Sequence, residues 1–268
     1  MIKLVVSDID GTLLPYGETA LPQALFPLIR GLERRGIRFC PASGRQFHSL
    51  RRLFGPVEET LTYLCENGAI LYGPGREEAA PVLHQTPLPR AAALALCRDI
   101  LALPRCELLV SGPNCSYLTQ CSPSFVAHMR GFKGNRVEVV EEIASVNAEI
   151  LKVSAYCPQG TGPAMAALGP RWGEEMSMAV AGADWLDFTL ADKGVGLRGL
   201  CRALGVPLEE VAAFGDNWND VSMLEAAGHP YLMAQADPVL KERFPRQCES
   251  VLTVLEHLVD TGRLPKEA

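Results

Sequence analysis

Short apolar runs in this chain repeatedly end on a polar or acidic cluster, and that pattern limits the fold more than any other feature. "IKLVVS" (2–7) leads into Asp8, "IRFCPA" (37–42) into Ser43-Gly44-Arg45, "TYLC" (62–65) into Glu66-Asn67-Gly68, and "VAAF" (211–214) into Gly215-Asp216. Apolar runs without alternation suit strands buried on both faces, as in a parallel sheet covered by helices. Helical patterns lie between them. Leu197, Leu200, Cys201 and Leu204 repeat at i, i+3, i+4 and i+7 before Gly205 stops the helix. Phe47, Leu50, Leu53 and Phe54 form a second apolar face opening at Ser43. Leu25, Leu28, Ile29 and Leu32 form a third across 21–35, where Pro27 either kinks the helix or marks its true start.

Strands alternating with helices predict an α/β fold with a doubly wound, Rossmann-like parallel-sheet core. Such sheets bind ligands at the carboxyl ends of their strands, so residues 8, 43 and 216 are expected to share one pocket. The middle of the chain breaks the alternation. After Gly73-Pro74-Gly75 and the acidic pair Glu77-Glu78, the pattern reads helix (90–103), strands (106–111, 115–120), helix (122–131), strands (136–140, 150–156), helix (161–168) and strands (176–181, 184–189). The last two flank a turn at Gly182-Ala183-Asp184. An antiparallel sheet with helices on one face is expected here. Residues 83–187 thus read as an α+β domain inserted into a core made of 1–82 and 188–268.

Bulk properties exclude some partners. A net charge of −6 gives no electrostatic reason to expect nucleic acid or an anionic membrane. No apolar run approaches the roughly 18 to 20 residues of a spanning helix. Asp8 and Asp10 interrupt the stretch that a secretory leader would need to keep uncharged. Nine cysteines, none in a C-x-x-C pair, read as reduced thiols of a cytoplasmic protein. The sequence carries no signal for oligomeric state.

Four clusters carry chemistry when taken together. Asp8-Ile9-Asp10-Gly11-Thr12 alone fits a turn with an Asx hydrogen bond. It is not a calcium loop, because Gly11 at the sixth position would put Val6 at the first. Ser43-Gly44-Arg45 fits a helix N-cap or a phosphate site. Lys193-Gly194 starts a helix, where a lysine ordinarily sits in water. In "GDNWND" (215–220), Asn219 or Asp220 fits as the cap of the helix carrying Leu224, yet Asp216 ends a buried strand as Asp8 does. Two acidic strand ends on one sheet edge repel unless a cation joins them, and Mg2+ suits carboxylates, waters and a phosphate oxygen.

In this order and spacing the four motifs resemble those of the haloacid dehalogenase-like phosphatases, and specifically the Cof-type branch with a large α/β cap between the second and third motifs. "ENGA" (66–69) and "LDF…DKG" (186–194) fit that branch too. The resemblance implies a Mg2+-dependent phosphohydrolase acting on a small phosphorylated metabolite, a sugar phosphate first among the candidates. It implies Asp8 as the nucleophile that forms an aspartyl-phosphate, and Asp10 as acid and base. It places the metal on Asp8, the backbone carbonyl of Asp10, and Asp216, with Asn219 and Asp220 supporting. Ser43, Gly44 and Lys193 bind the phosphate, and Arg45, Asn67 and Trp218 neighbour the leaving group. The cap is expected to close over the core and supply specificity.

The chain departs from that branch in having Ser43 for the usual threonine, Asp192 for a common serine, and Gln235 for an asparagine. A phosphomutase on the same fold and a non-catalytic binding or regulatory protein are the alternatives. The intact set Asp8, Asp10, Ser43, Lys193 and Asp216 argues against the latter.

Overall fold

Every residue of the first strand, β1 (Leu4–Asp8), is buried, and Leu4, Val5 and Val6 have no exposure at all. Side chains alternate across a strand, so consecutive buried residues require cover on both faces. Burying each such aliphatic side chain contributes about 1.5–3 kcal/mol. The computed structural model describes residues 1–76, 79–131, 136–181 and 183–265. Glu77, Glu78 and Gly182 lie outside the described residues.

Along the chain, β1 is followed by α1 (Leu25–Arg34), β2 (Arg38–Ala42), α2 (Phe47–Leu53), β3 (Tyr63–Cys65), β4 (Ile70–Tyr72) and β5 (Val82–Gln85). Next come α3 (Arg90–Leu101), β6 (Glu107–Gly112), β7 (Cys115–Leu118), α4 (Pro123–Gly131), β8 (Val137–Val139), β9 (Lys152–Tyr156), α5 (Gly162–Trp172), β10 (Ser177–Ala181) and β11 (Trp185–Thr189). The chain ends through α6 (Lys193–Leu204), β12 (Val211–Gly215), α7 (Val221–Ala226), β13 (His229–Met233), α8 (Pro238–Arg243), β14 (Gln247–Cys248) and α9 (Val251–Thr261). Two compact units result: Met1–His84 with the chain from Asp192 onward, and Gln85–Ala191.

The first unit is the doubly wound α/β core, with sheet order β14-β13-β12-β1-β2-β3-β4-β5. β1 pairs in parallel with β12 (Val6↔Ala213) and with β2 (Val6↔Cys40). Leu4, Val6, Cys40, Ala42 and Ala213 share one core cluster with Leu197 and Leu200 of α6 and with Met223 and Leu224 of α7. Pro27 is the third residue of α1, in the first turn, where its missing N–H breaks no helical bond. It therefore marks a start, not a kink. β4 pairs antiparallel with β3 (Leu64↔Leu71) and extends the sheet beyond the strands legible in the sequence.

The second unit carries a six-stranded sheet ordered β10-β11-β9-β6-β7-β8. Two expectations need correcting here. The β7–β8 pair is parallel, because α4 carries the chain between them as a crossover. Helices also lie on both faces. Leu108, Val110, Val153, Ala155, Leu186 and Phe188 cluster with α3 and α5, through Leu96, Ile100, Leu168 and Trp172. The opposite-parity residues Leu109, Tyr156 and Trp185 cluster with Phe125 and Met129 of α4.

Candidate active site

Asp8 closes β1 with its side chain buried, and the chain then folds back on itself through Thr12 N to Ile9 O (3.2 Å), Leu14 N to Ile9 O (2.8 Å) and Gly11 N to Leu14 O (2.8 Å). Gly11 has φ +94°, and a Cβ there would lie 2.2 Å from Asp216 Oδ2. Only glycine permits both the backbone conformation and the approach. Gln235 donates Nε2–H to the Gly11 carbonyl at 2.6 Å, so the departure at that position tethers the acidic loop.

Lys193 begins α6, and its ammonium is fully buried. It donates to Asp8 Oδ1 and, at 2.5 Å, to Asp220 Oδ1. Asp220 Oδ2 accepts from the backbone amides of Asp216 (3.0 Å) and Asn217 (3.1 Å), which fixes both its carboxylate and the end of β12. Asp216 accepts from Thr12 Oγ1 at 3.0 Å and from Tyr16 Oη at 2.9 Å. α6 reaches this position by bare backbone contact: a Cβ on Gly196 would lie 2.6 Å from Gly68 Cα. Asp192 is the N-cap of α6, accepting from Val195 N at 2.7 Å, so its charge serves the helix end.

The charges do not balance. Carboxylate oxygens of Asp8, Asp216 and Asp220 all lie within 4.8 Å of one another, all three residues are buried, and Lys193 is the cation that bonds two of them. Burial, and then the charge of Asp220, push Asp8 up to about 7 despite Lys193. Burial likewise raises Asp216. Burial alone would lower Lys193, but Asp220 and Asp8 more than offset it and hold the ammonium charged. Carboxylates forced upward by burial and mutual repulsion are what a bound cation relieves, so this donor set fits a metal ion.

The remaining expected residues divide into two groups. Asp10 is half-exposed, and Arg45 grips it with two of its three guanidinium nitrogens, Nη2 to Oδ1 at 2.5 Å and Nε to Oδ2 at 3.1 Å. Ser43 is buried just past β2, and its Oγ accepts from Arg45 N at 3.3 Å. Ser43 does not cap α2, which begins at Phe47 with Gln46 as N-cap; the tight turn of Ser43-Gly44-Arg45 delays the helix. Asn67 has φ 54° and lies against Gly44, where a Cβ would be 3.1 Å from Asn67 Nδ2. Asn219 and Trp218 are exposed. Asp220 is the N-cap residue of α7 but makes no side-chain bond to that helix. Its carboxylate instead completes a capping box on the 3-10 turn Trp218–Asp220, accepting from Asn217 N, while Asn217 accepts from Trp218 N at 2.8 Å. Thr12, Tyr16 and Asn217 were not singled out by the sequence patterns. Thr12 lay within a motif, whereas Tyr16 carried no signal.

The model of the haloacid dehalogenase-like hydrolases matches residues 5–251. The chain belongs to that family. Within the haloacid dehalogenase-like hydrolases it falls with the Cof-type phosphatases, as the four motifs implied, and its class is that of a phosphoric monoester hydrolase. It is 26% identical to the 5-amino-6-(5-phospho-D-ribitylamino)uracil phosphatase of Escherichia coli, over 88% of this chain and 86% of that one. It is also 26% identical to the pyridoxal phosphate phosphatase of Escherichia coli, over 90% and 91% respectively. A crystal structure from Eubacterium rectale superimposes with a TM-score of 0.84 at 28% identity, covering 96% of this chain and 99% of the other. No helix among the described residues is long and apolar enough to cross a membrane.

Proposed function

We propose that this protein is a Mg2+-dependent phosphohydrolase of the cytoplasm that cleaves a small phosphorylated metabolite through an aspartyl-phosphate on Asp8. The observation carrying this reading is the buried Lys193 ammonium bonded to Asp8 and Asp220 beside Asp216. Asp8 attacks phosphorus in line as the nucleophile. Asp10, held by Arg45, protonates the leaving oxygen and then takes a proton from the water that hydrolyses the intermediate. Lys193 and the Ser43–Gly44 turn bind the transferring phosphoryl oxygens. Ser43 Oγ accepts from Arg45 N, so its own O–H is left to donate to phosphate.

Asp8, Asp216 and Asp220, with Asn219 and the backbone carbonyl of Asp10, would hold the Mg2+, whose charge offsets the repulsion between a carboxylate and a phosphate dianion. Arg45 and Asn67 are the proposed contacts for the leaving group. Asn67 Oδ1 is buried without a hydrogen-bond partner among the described residues, which leaves an acceptor for a substrate hydroxyl or amine. Sugar phosphates head the substrate class, followed by cofactor-like phosphates. The relatives named for pyridoxal phosphate and for a phosphoribitylaminouracil support a small phosphorylated substrate.

Hydrolysis of an aryl phosphate by the purified protein, with Mg2+ or with chelator, tests this. Metal-dependent phosphate release that disappears in Asp8→Asn is the expected result. No metal-dependent release, or release unchanged in Asp8→Asn, would overturn it.

A further inference from the structure

The second unit holds a pair of groups that phosphoryl transfer does not use. Glu107↔Tyr156 and Leu108↔Ala155 are antiparallel partners on β6 and β9, so one step outward sets Cys106 opposite Cys157. Their sulfurs lie 3.4 Å apart. Both side chains are on the sheet face that α3 and α5 cover, and both join its apolar cluster. The surrounding backbone keeps them there. Cys157 N donates to Asp184 O at 2.6 Å, and Gly160 N donates to Cys157 O at 2.8 Å. Arg105 Nη1 spans the same two segments to reach Gln159 Oε1 at 2.7 Å. The only cluster of three or more metal-ligating side chains among the described residues is the aspartate group, so the cysteines are not part of a metal site.

We propose that Cys106 and Cys157 form a reversible redox pair that closes to a disulfide across the β6–β9 edge when the protein meets a hydroperoxide. A disulfide needs its sulfurs about 2.05 Å apart, and rotation of two side chains already in contact provides the closure. The two thiols differ in access. Cys106 is half-buried, between exposed Arg105 and the half-buried Glu107, whereas Cys157 is buried. Burial, reinforced by the neighbouring Cys106, pushes the Cys157 thiol up to about 12, which keeps it protonated at neutral pH. Cys106 therefore meets the oxidant first. Its sulfur attacks a peroxide oxygen, the O–O bond breaks, and an alcohol or water leaves as Cys106 becomes a sulfenic acid. Cys157 sulfur then attacks Cys106 sulfur. The S–O bond breaks, the S–S bond forms, and the departing hydroxide leaves as water with the Cys157 proton. Two thiols have lost two electrons and the peroxide has gained them. The link joins residues 51 apart in sequence and staples two central strands of the six-stranded sheet.

The test treats the full-length reduced protein with hydrogen peroxide at neutral pH, then alkylates free thiols and maps peptides without reductant. The expected result is a Cys106–Cys157 cross-linked peptide, a fall from nine titratable thiols to seven, and full reversal by dithiothreitol. The oxidised protein should also melt at a higher temperature than the reduced one. Cys157→Ser should trap a sulfenic acid at Cys106, detected with dimedone. The proposal is overturned if the wild-type map shows Cys106 advanced to sulfinic acid with Cys157 still alkylated, or a disulfide between other cysteines, or nine free thiols. That readout needs no variant to fold and does not depend on phosphatase activity.

Discussion

Arg45 and Asp10 form a two-point ion pair, with the guanidinium fork meeting both carboxylate oxygens. The fork fixes the orientation of the carboxylate assigned to proton transfer, and a lysine cannot reproduce that geometry. Arg45→Lys should therefore lose turnover by about tenfold, and Arg45→Ala by about a hundredfold, as expected when an acid–base group is freed to rotate. Steady-state kinetics on an aryl phosphate checks this. A pairing with no role in proton transfer would leave the acidic and basic limbs of the pH–rate profile where they were.

Asp8→Asn should stop turnover while stabilising the protein in chelator. Asp8 is raised from 3.8 to about 7, so its contribution to stability is fully present below about pH 4 and is lost as pH climbs through 7. Asp216 shifts in the same direction. Melting curves of the chelated wild type should fall between pH 5 and 8 more steeply than those of Asp8→Asn. Parallel curves would contradict the assignment.

Removing the lysine has the opposite effect. Lys193→Met leaves Asp8 and Asp220 buried without their cation, and breaking a buried pair of this kind costs about 3–5 kcal/mol. Urea denaturation at pH 8 should show that loss, with part of it recovered at pH 5 as Asp8 protonates.

Mg2+ should raise the melting temperature of the wild type, because a ligand that binds only the folded state stabilises it by mass action, about 2.7 kcal/mol at a hundredfold excess over Kd. Asp216→Asn should need a higher concentration for the same shift. An identical titration curve for the variant would remove Asp216 from the metal site.

Gly11→Ala should damage the site without touching a charged group. Its Cβ would stand 2.2 Å from Asp216 Oδ2, on a backbone with φ +94°. Strain of this kind costs about 1–3 kcal/mol, and the displaced Asp216 should weaken Mg2+ binding measured by calorimetry. The first term appears in urea denaturation and the second does not.

The sequence showed the core through strands whose two faces are both apolar, because β1, β2, β3 and β12 need no alternation to be recognised. Asp8 and Asp216 were legible because each ends a buried strand on the same sheet edge, whereas Lys193 was marked only by the resemblance of the four motifs together. Other features depend on tertiary contacts that leave no local mark. β14 is a two-residue edge strand, and β13 beside it opens on the half-buried His229 and Pro230. The parallel β7–β8 pair depends on where α4 crosses, and α4 covers a face that contains polar residues such as Ser154 and Asp187. Tyr16 reaches Asp216 from a loop of unremarkable composition. Asp192 and Gln235 looked like local departures, and only the fold shows one capping α6 and the other holding Gly11.

The contact between Gly196 and Gly68 has a consequence at the level of the gene. Every base change at the first or second position of a glycine codon that yields another amino acid adds a side-chain carbon, so no single-nucleotide substitution that changes either residue preserves the spacing. A Cβ on Gly196 meets the Gly68 backbone at 2.6 Å, and one on Gly68 meets the Asp192 carbonyl oxygen at 2.2 Å. The turn carrying Asn67 and the helix carrying Lys193 can therefore diverge only as a unit. Random mutagenesis of this chain should leave glycine at both positions in nearly all active clones, with only silent third-position changes in these codons, while the solvent-facing positions of the same helix vary freely.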